Sequence, residues 1–231
     1  MIFIGMDDTD VKGSRGTGRL ARNIAAALSD RYDVLGITRH QLLFDPRVPY
    51  TSKNSSAAIH LNADGEVDLN GLADEVQALM LADWYDGSDP GLCVARTAIP
   101  STVSEFGRRA KTSLVCQDDA LTLAAREGYL LRGLGGTCDG VIGALAAVGL
   151  AASGEDGRFV LVGSSRELAG VQSVQSILSC GITEVRTVDG IRLEEGSVDT
   201  GGKLRPAHRD GRAVLFVKES DGPYWQPVKL D

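Results

Sequence analysis

Apolar and polar positions recur along this chain in two periods, and each switch between periods marks a boundary between elements. Residues 1 to 6 are an unbroken apolar run, short enough to predict a buried strand. From Thr17 to Tyr32, Leu20, Ala21, Ile24, Ala25 and Leu28 recur at helical spacing, while Arg19, Arg22, Asn23 and Arg31 take the other face. "DVLGIT" and "SAAIHL" read as the second and third strands. "FDPRVPYTSKNSS" between them must be a loop, because Pro46 and Pro49 remove backbone donors and disfavour helix before them. Residues 68 to 82 predict an amphipathic helix with Leu72, Val76, Leu79 and Met80 inward. The turn-rich "YDGSDPG" and the short strand "LCVART" follow, and helical patterns return over 103–112 and 117–127.

"GYLLRGLGGTCDG" then carries five glycines in 13 residues and opens onto the helix "VIGALAAVGL". A strand at "RFVLVG" and a helical or irregular stretch to Cys180 lead into a β-rich tail. Asp189-Gly190 and Asp221-Gly222 are hairpin signals there. Alternating strands and helices followed by strands predict an α/β (α+β) fold in two lobes.

Composition narrows the function classes. The 231 residues are 43% hydrophobic and 24% charged, and no apolar stretch approaches the ~20 residues of a membrane span. The N-terminus enters a strand without a basic region or cleavage site, so a cytoplasmic protein is expected. Four scattered cysteines without a CxxC pair argue against a zinc ribbon and fit reduced thiols. A net charge of −7 without a basic stripe argues against direct binding of RNA or other nucleic acid. The short basic groups Arg108, Arg109 and Lys111, and Lys203, Arg205 and Arg209, read as solvated faces.

Three stretches carry candidate chemistry. The first, "GMDDTDVKGSRGTGRLA", crowds Asp7, Asp8 and Asp10 between a strand and a helix. Two carboxylates about 4 Å apart repel by roughly 4 kcal/mol at an effective dielectric near 20, so solvation or a cation must offset the cluster. Turn and cap chemistry is one reading, with Thr17 as N-cap. The other is a Mg2+ and phosphate site, the carboxylates holding the ion and "GSRGTG" ahead of a helix N-terminus cradling phosphate. Adjacent strand residues face opposite ways, so shared coordination by Asp7 and Asp8 requires the chain to leave the strand near Gly5. A P-loop is absent, and Gly16-Thr17-Gly18-Arg19-Leu20-Ala21 lies too far from the strand for a dinucleotide fingerprint.

The second stretch offers Lys53 as a point charge for phosphate and the hydroxyls of Ser52, Ser55 and Ser56, in a loop expected beside the first strand. The third, Gly133 to Gly149, reads either as close packing through Gly140, Gly143, Ala146 and Ala147, or as a substrate-facing turn offering Thr137 and Asp139.

Taken together, "IGMDDTDVKGSRGTGRLA", "FDPRVPYTSKNSSAA", "DPGLCVA" and "DGVIGALAAVG" resemble, in order, motifs of the archaeal tRNA(Ile2) agmatidine synthetases over roughly the first two-thirds of the chain. The resemblance implies a kinase-like domain binding ATP and Mg2+, assigned to residues 1–128, and a ferredoxin-like domain with the β-rich tail, assigned to 129–231. That family's OB-fold and zinc ribbon have no counterpart in these residues. The match implies Asp7, Asp8 and Asp10 as catalytic and metal residues and Thr17 as the phosphorylated threonine. Nucleotide contacts are expected from Thr9, Gly16, Thr17, Gly18, Lys53 and Ser55, and substrate contacts from Thr137, Asp139 and Gly140. Thr51 stands where the family has a loop lysine, and Asp139 falls where its motif is basic. The expected function is ATP- and Mg2+-dependent phosphoryl transfer activating a carbonyl-type oxygen, with amine ligation as a second step. Nucleotide or small-ligand binding without turnover, and a partner subunit of an RNA-modifying complex, are the alternatives.

Overall fold

The computed structural model describes residues 1–50, 53–62 and 65–230. Packing divides the chain into two compact units, Met1–Ser153 and Gly154–Asp231. This division does not coincide with the 128/129 boundary read from the sequence.

The first unit begins with β1 (Ile2–Asp7), α1 (Thr17–Leu28), β2 (Asp33–Gln41), β3 (Ser55–Asn62), α2 (Leu69–Ala82) and β4 (Gly91–Arg96). Then come α3 (Ser101–Thr112), α4 (Gln117–Glu127), β5 (Leu130–Gly133) and α5 (Gly140–Ser153). Its strands lie in the order β5-β4-β1-β3-β2, every neighbouring pair antiparallel. The order 4-1-3-2 for a βαββαβ run is that of a split βαβ, ferredoxin-like plait. It occupies residues 2–96, ahead of the segment for which the sequence suggested a ferredoxin-like domain. The short β5 was not legible, its four residues being embedded in the glycine-rich run.

Period-two alternation along β1 sorts its side chains between two helical layers. Phe3 packs with Ala58, Cys93 and Ala95 against the buried faces of α3, α4 and α5. Ile2, Ile4 and Met6, all fully buried, turn to the opposite face, where α1 and α2 pack. Helix α1 buries the stripe expected of it, Leu20, Ala21, Ile24, Ala25 and Leu28. In α2, Leu72, Ala73, Val76 and Met80 are buried, whereas Leu79 is only half-buried. Helix α5 is buried on nearly every side because its residues are small: a Cβ built on Gly5 would overlap Ala144 O, and one on Gly91 would overlap Gly140. The close-packing reading of the third stretch therefore holds for the body of α5.

The second unit contains β6 (Arg158–Leu161), β7 (Val171–Ser173), α6 (Val174–Ser179), β8 (Glu184–Thr187), β9 (Arg192–Leu193), β10 (Ser197–Asp199), β11 (Ala207–Arg209), β12 (Arg212–Lys218) and β13 (Gln226–Pro227). Strands β6-β11-β12-β8-β9 are neighbours in that order, β13 joins β12, and β7 pairs with β10. Strands β8 and β12 run parallel. Both hairpin signals form: β8 pairs with β9 around Asp189-Gly190, and β12 with β13 around Asp221-Gly222. A separate apolar core gathers Phe159, Val174, Ile177, Val185, Val198, Leu204 and Leu215. All four cysteines are free thiols. No helix among the described residues is long and apolar enough to cross a membrane.

Candidate functional site

The C-terminal end of β1 places the aspartates. Strand pairing persists to Asp7, opposite Gly91 of β4, so the chain does not leave the strand near Gly5, the condition set for shared coordination by Asp7 and Asp8. The turn comes at Asp8, whose φ of 49° lies in the left-handed region where Asp and Asn are the best-tolerated side chains after glycine. Alternation puts Asp7 on the face of Phe3 and Gly5, toward α5, and there its carboxylate fits against Gly143. A Cβ at Gly143 would overlap Asp7 Oδ2. Gly143→Ala is therefore expected to displace Asp7 and to destabilise the chain by about 1–3 kcal/mol in urea unfolding, the usual range for overpacking.

The electrostatics of this corner are strongly negative. Burial pushes the Asp7 carboxyl up to about 7; an Asp8 backbone hydrogen bond offsets part of this, and the charges of Asp8 and Asp10 add to it. The Asp8 carboxyl rises to about 6, first through burial and then through Asp89, Asp10 and Asp139. Asp89 is a residue that sequence reasoning missed, although it opens the quoted "DPGLCVA". Its Oδ1 accepts from Thr137 N at 2.6 Å, and the Thr137 hydroxyl lies 3.1 Å from Asp89 Oδ2 and 2.9 Å from Asp139 Oδ2. Gln117 Nε2 donates to Asp139 Oδ1 at 2.6 Å. These bonds hold the turn into α5 against the β4 end, so Thr137 acts there through Asp89 and Asp139.

Two adjoining cavities form one groove at this corner. The first is lined by Asp7, Asp8, Asp10, Asp139 and Gly140 on the polar side, and by Leu42, Leu43, Val48, Tyr50, Leu114, Val115 and Ile142 on the apolar side. The second is lined by Gly16, Thr17, Gly18, Arg39, Ser56 and Ala57, and it shares Asp10, Lys53 and Ser55 with the first. The fold thus brings together the expected residues Asp7, Asp8, Asp10, Gly16, Thr17, Gly18, Lys53, Ser55, Asp139 and Gly140. The apolar wall was not foreseen, because its members come from the β2–β3 loop, the α3–α4 connection and α5, far apart in sequence. Ser52 and Thr51 lie outside the described residues.

Lys53 reaches the groove by a different route from the one expected. Strand β2 is at the sheet edge of this unit, and β3 is the neighbour of β1. The β2–β3 loop therefore borders the aspartates through the start of β3. Thr17 also differs: Gly16 is the N-cap of α1, without a side-chain cap, and Thr17 is the first helical residue. Its hydroxyl is buried in a relay, accepting from Thr9 Oγ1 at 3.0 Å and donating to Asp10 Oδ1 at 3.4 Å. Thr9 is itself buried and does not line the groove. The first turn of α1, the positive end of its dipole, borders the second cavity through Gly16, Thr17 and Gly18.

No protein-family model and no curated protein matches the chain. Solved structures do share its fold. The structure titled "tRNA fluorescent labeling enzyme" superposes with a TM-score of 0.56 at 24% identity, over 64% of this chain and 35% of that one. The TiaS-tRNA(Ile2)-ATP complex gives a TM-score of 0.56 at 23% identity, over 64% and 36%. Apo TiaS, the tRNAIle2 agmatidine synthetase, gives 0.55 at 22%, over 64% and 35%. The matched part is about a third of the length of those proteins, and over it this chain has the fold of TiaS.

Proposed function

We propose that the groove binds ATP with Mg2+ and that the chain transfers the terminal phosphoryl group, activating a carbonyl-type oxygen of a second substrate for attack by an amine. One observation carries this reading. Opposite charges share a single groove: Asp7, Asp8 and Asp10 line it together with Lys53 and the first turn of α1, where Asp10 accepts from the Thr17 hydroxyl. A magnesium-bound nucleotide presents the complementary pair, a hard cation for the carboxylates and phosphates for the lysine and helix end. Support comes from TiaS structures of the same fold that contain ATP, or AMPCPP with agmatine.

The donor set suits Mg2+, since every candidate ligand is a carboxylate oxygen. No three His, Cys, Asp or Glu residues among the described ones form a ready metal cluster. Mg2+ needs only one or two carboxylates, completed by water and phosphate oxygens. Asp8 and Asp10 would hold it, and when bound it supplies charge neutralisation at the β- and γ-phosphates. Asp7, held against Gly143, positions the incoming oxygen. Lys53 offsets charge developing on the transferred group. The hydroxyl of Thr17, or the backbone N–H groups around it, faces the γ-phosphate, with Asp10 orienting that hydroxyl. The apolar wall from Leu42 to Ile142 receives the base. The turn at Asp139 and Gly140 lies on the acceptor side.

The test is a thermal melt of the full chain with millimolar ATP, Mg2+, or both, followed by incubation with γ-labelled ATP. The expected result is stabilisation that requires both components, about 2.7 kcal/mol at a hundredfold excess over Kd, with release of label. No shift with both present overturns the proposal. Stabilisation without turnover supports a nucleotide-binding protein instead, a reading favoured by the extra negative charge of Asp139 beside Asp8. Retention of tRNA in a salt-sensitive pull-down would bring RNA back as a candidate acceptor.

A further inference from the structure

Two polar residues at the end of β2, Arg39 and Gln41, have no part in the phosphoryl transfer as proposed. Strand register fixes where they stand. Arg39 lies opposite Ala57 and Gln41 opposite Ser55 in β3, and Ala57 lies opposite Met6 in β1. All of these belong to the sheet face that carries Met6, on which α1 packs, whereas the fully buried Thr38 and His40 alternate to the other side. The first turn of α1 meets this face, so Gly16, Thr17, Gly18, Arg39, Ser55 and Ala57 line the second cavity together. Asp10 and Lys53 stand where it adjoins the first. Arg39 is half-buried there.

The Arg39 guanidinium is aimed by its neighbours. Its Nη2 donates to Gln41 Oε1 at 2.9 Å. Gln41 Nε2 in turn donates to Leu42 O at 3.2 Å and to Asn54 O at 2.6 Å. Asn54 O also accepts from Leu42 N at 2.9 Å, and Asn54 Nδ2 donates to Leu43 O at 2.8 Å. These bonds pin the base of the β2–β3 loop immediately after Lys53. With its nitrogen committed to backbone carbonyls, the Gln41 amide presents its oxygen to Arg39. A neutral acceptor orients a guanidinium without cancelling its charge. A planar fork and a lysine point charge at one cavity match the anionic oxygens of a polyphosphate, which arginine contacts in bidentate fashion. Asp10 borders both cavities, which sets the carboxylate proposed for the metal ion beside the cavity of Arg39. We propose, on the nucleotide reading of this groove, that Arg39 is a further phosphate-contacting residue and Gln41 its positioning residue, so that the second cavity takes the polyphosphate chain.

The experiment titrates the isotopically labelled full chain, in Mg2+, with ATP and separately with inorganic tripolyphosphate, following the amides of Gly16, Thr17 and Gly18. Saturable shifts are expected with both ligands. Arg39→Met, similar in shape but uncharged, should raise both half-saturating concentrations about 10- to 100-fold, the loss that removal of a charged hydrogen bond implies. Arg39→Lys, which keeps the charge and loses the fork, should fall between Arg39→Met and the parent. Gln41→Leu should weaken binding in the parent but not in the Arg39→Met background, because a positioning residue acts only through the group it aims. A loss in Gln41→Leu that persists in that background shows a structural role at the loop base and overturns the assignment of Gln41. Parental affinities in both Arg39→Met and Arg39→Lys overturn the assignment of Arg39 and leave the nucleotide reading standing. Tripolyphosphate shifts that Arg39→Met abolishes, without any response to ATP, refute the nucleotide reading and uphold Arg39 as a phosphate contact. Amides indifferent to both ligands overturn both.

Discussion

Asp8→Asn is expected to abolish the Mg2+-dependent stabilisation by ATP and to slow phosphate release by about 100- to 1,000-fold, the usual cost of removing one preorganised electrostatic contact. The substitution is unusually clean here. Asp8 sits at φ 49°, and Asn tolerates the left-handed region as well as Asp does, so the turn at the end of β1 survives. Its charge is disfavoured by Asp89, Asp10 and Asp139, so the ligand-free variant should fold at least as stably as the parent. Loss of the ATP response in a variant with an unchanged or raised melting midpoint then reports the site alone. Asp8→Asn that still releases labelled phosphate at the parental rate would remove Asp8 from the proposed machinery.

The second large effect is on stability against pH. Asp7 and Asp8 have folded-state values of about 7 and about 6, above the ordinary carboxylate value of 3.8. A carboxyl whose value is raised on folding binds more protons in the native than in the unfolded chain. Stability therefore falls as pH rises through that window, the reverse of the usual salt-bridged carboxylate. Without a cation, the stability contributed at this corner should be greatest below about pH 4 and should decline until about pH 7. Asp7→Asn should flatten the decline and stabilise the chain at pH 7.5 by about 2–4 kcal/mol, an upper range because the partly exposed neighbour Asp8 shares the effect. Urea unfolding at pH 5.0 and 7.5, with and without Mg2+, checks this. Mg2+ should restore more stability at pH 7.5 than at pH 5.0 and should release protons on binding near pH 6.5. A parent chain equally stable at both pH values would show that the carboxyls ionise freely.

The acidic motif, the basic loop and the glycine-rich turn were legible because each is contiguous and its chemistry depends on residue type and close spacing. Their convergence was readable only through the ordered resemblance of the motifs. The groove's apolar wall was not readable, since Leu42, Tyr50, Leu114 and Ile142 look like ordinary core or loop residues one at a time. Asp89 carried a signal, its place in a matched motif, but its effect on Asp8 depends on the β4 end lying beside the β1 end.

What the sequence determined by itself is the set of local choices. The apolar stripe of α1, the proline-bearing loop, the hairpin turns at Asp-Gly and the small-residue α5 all follow from periodicity and backbone preference over a few residues. Only the tertiary structure decided the strand order. Placing β3 rather than β2 beside β1 is a long-range choice, set by which apolar faces can be covered by α1 and α2 on one side and by α3 to α5 on the other. That order brings Lys53 to the aspartates. Alternation from the buried Ile4 through Gly5 aims Asp7 at Gly143. The left-handed turn at Asp8, which local sequence permits but does not require, ends that alternation one residue later.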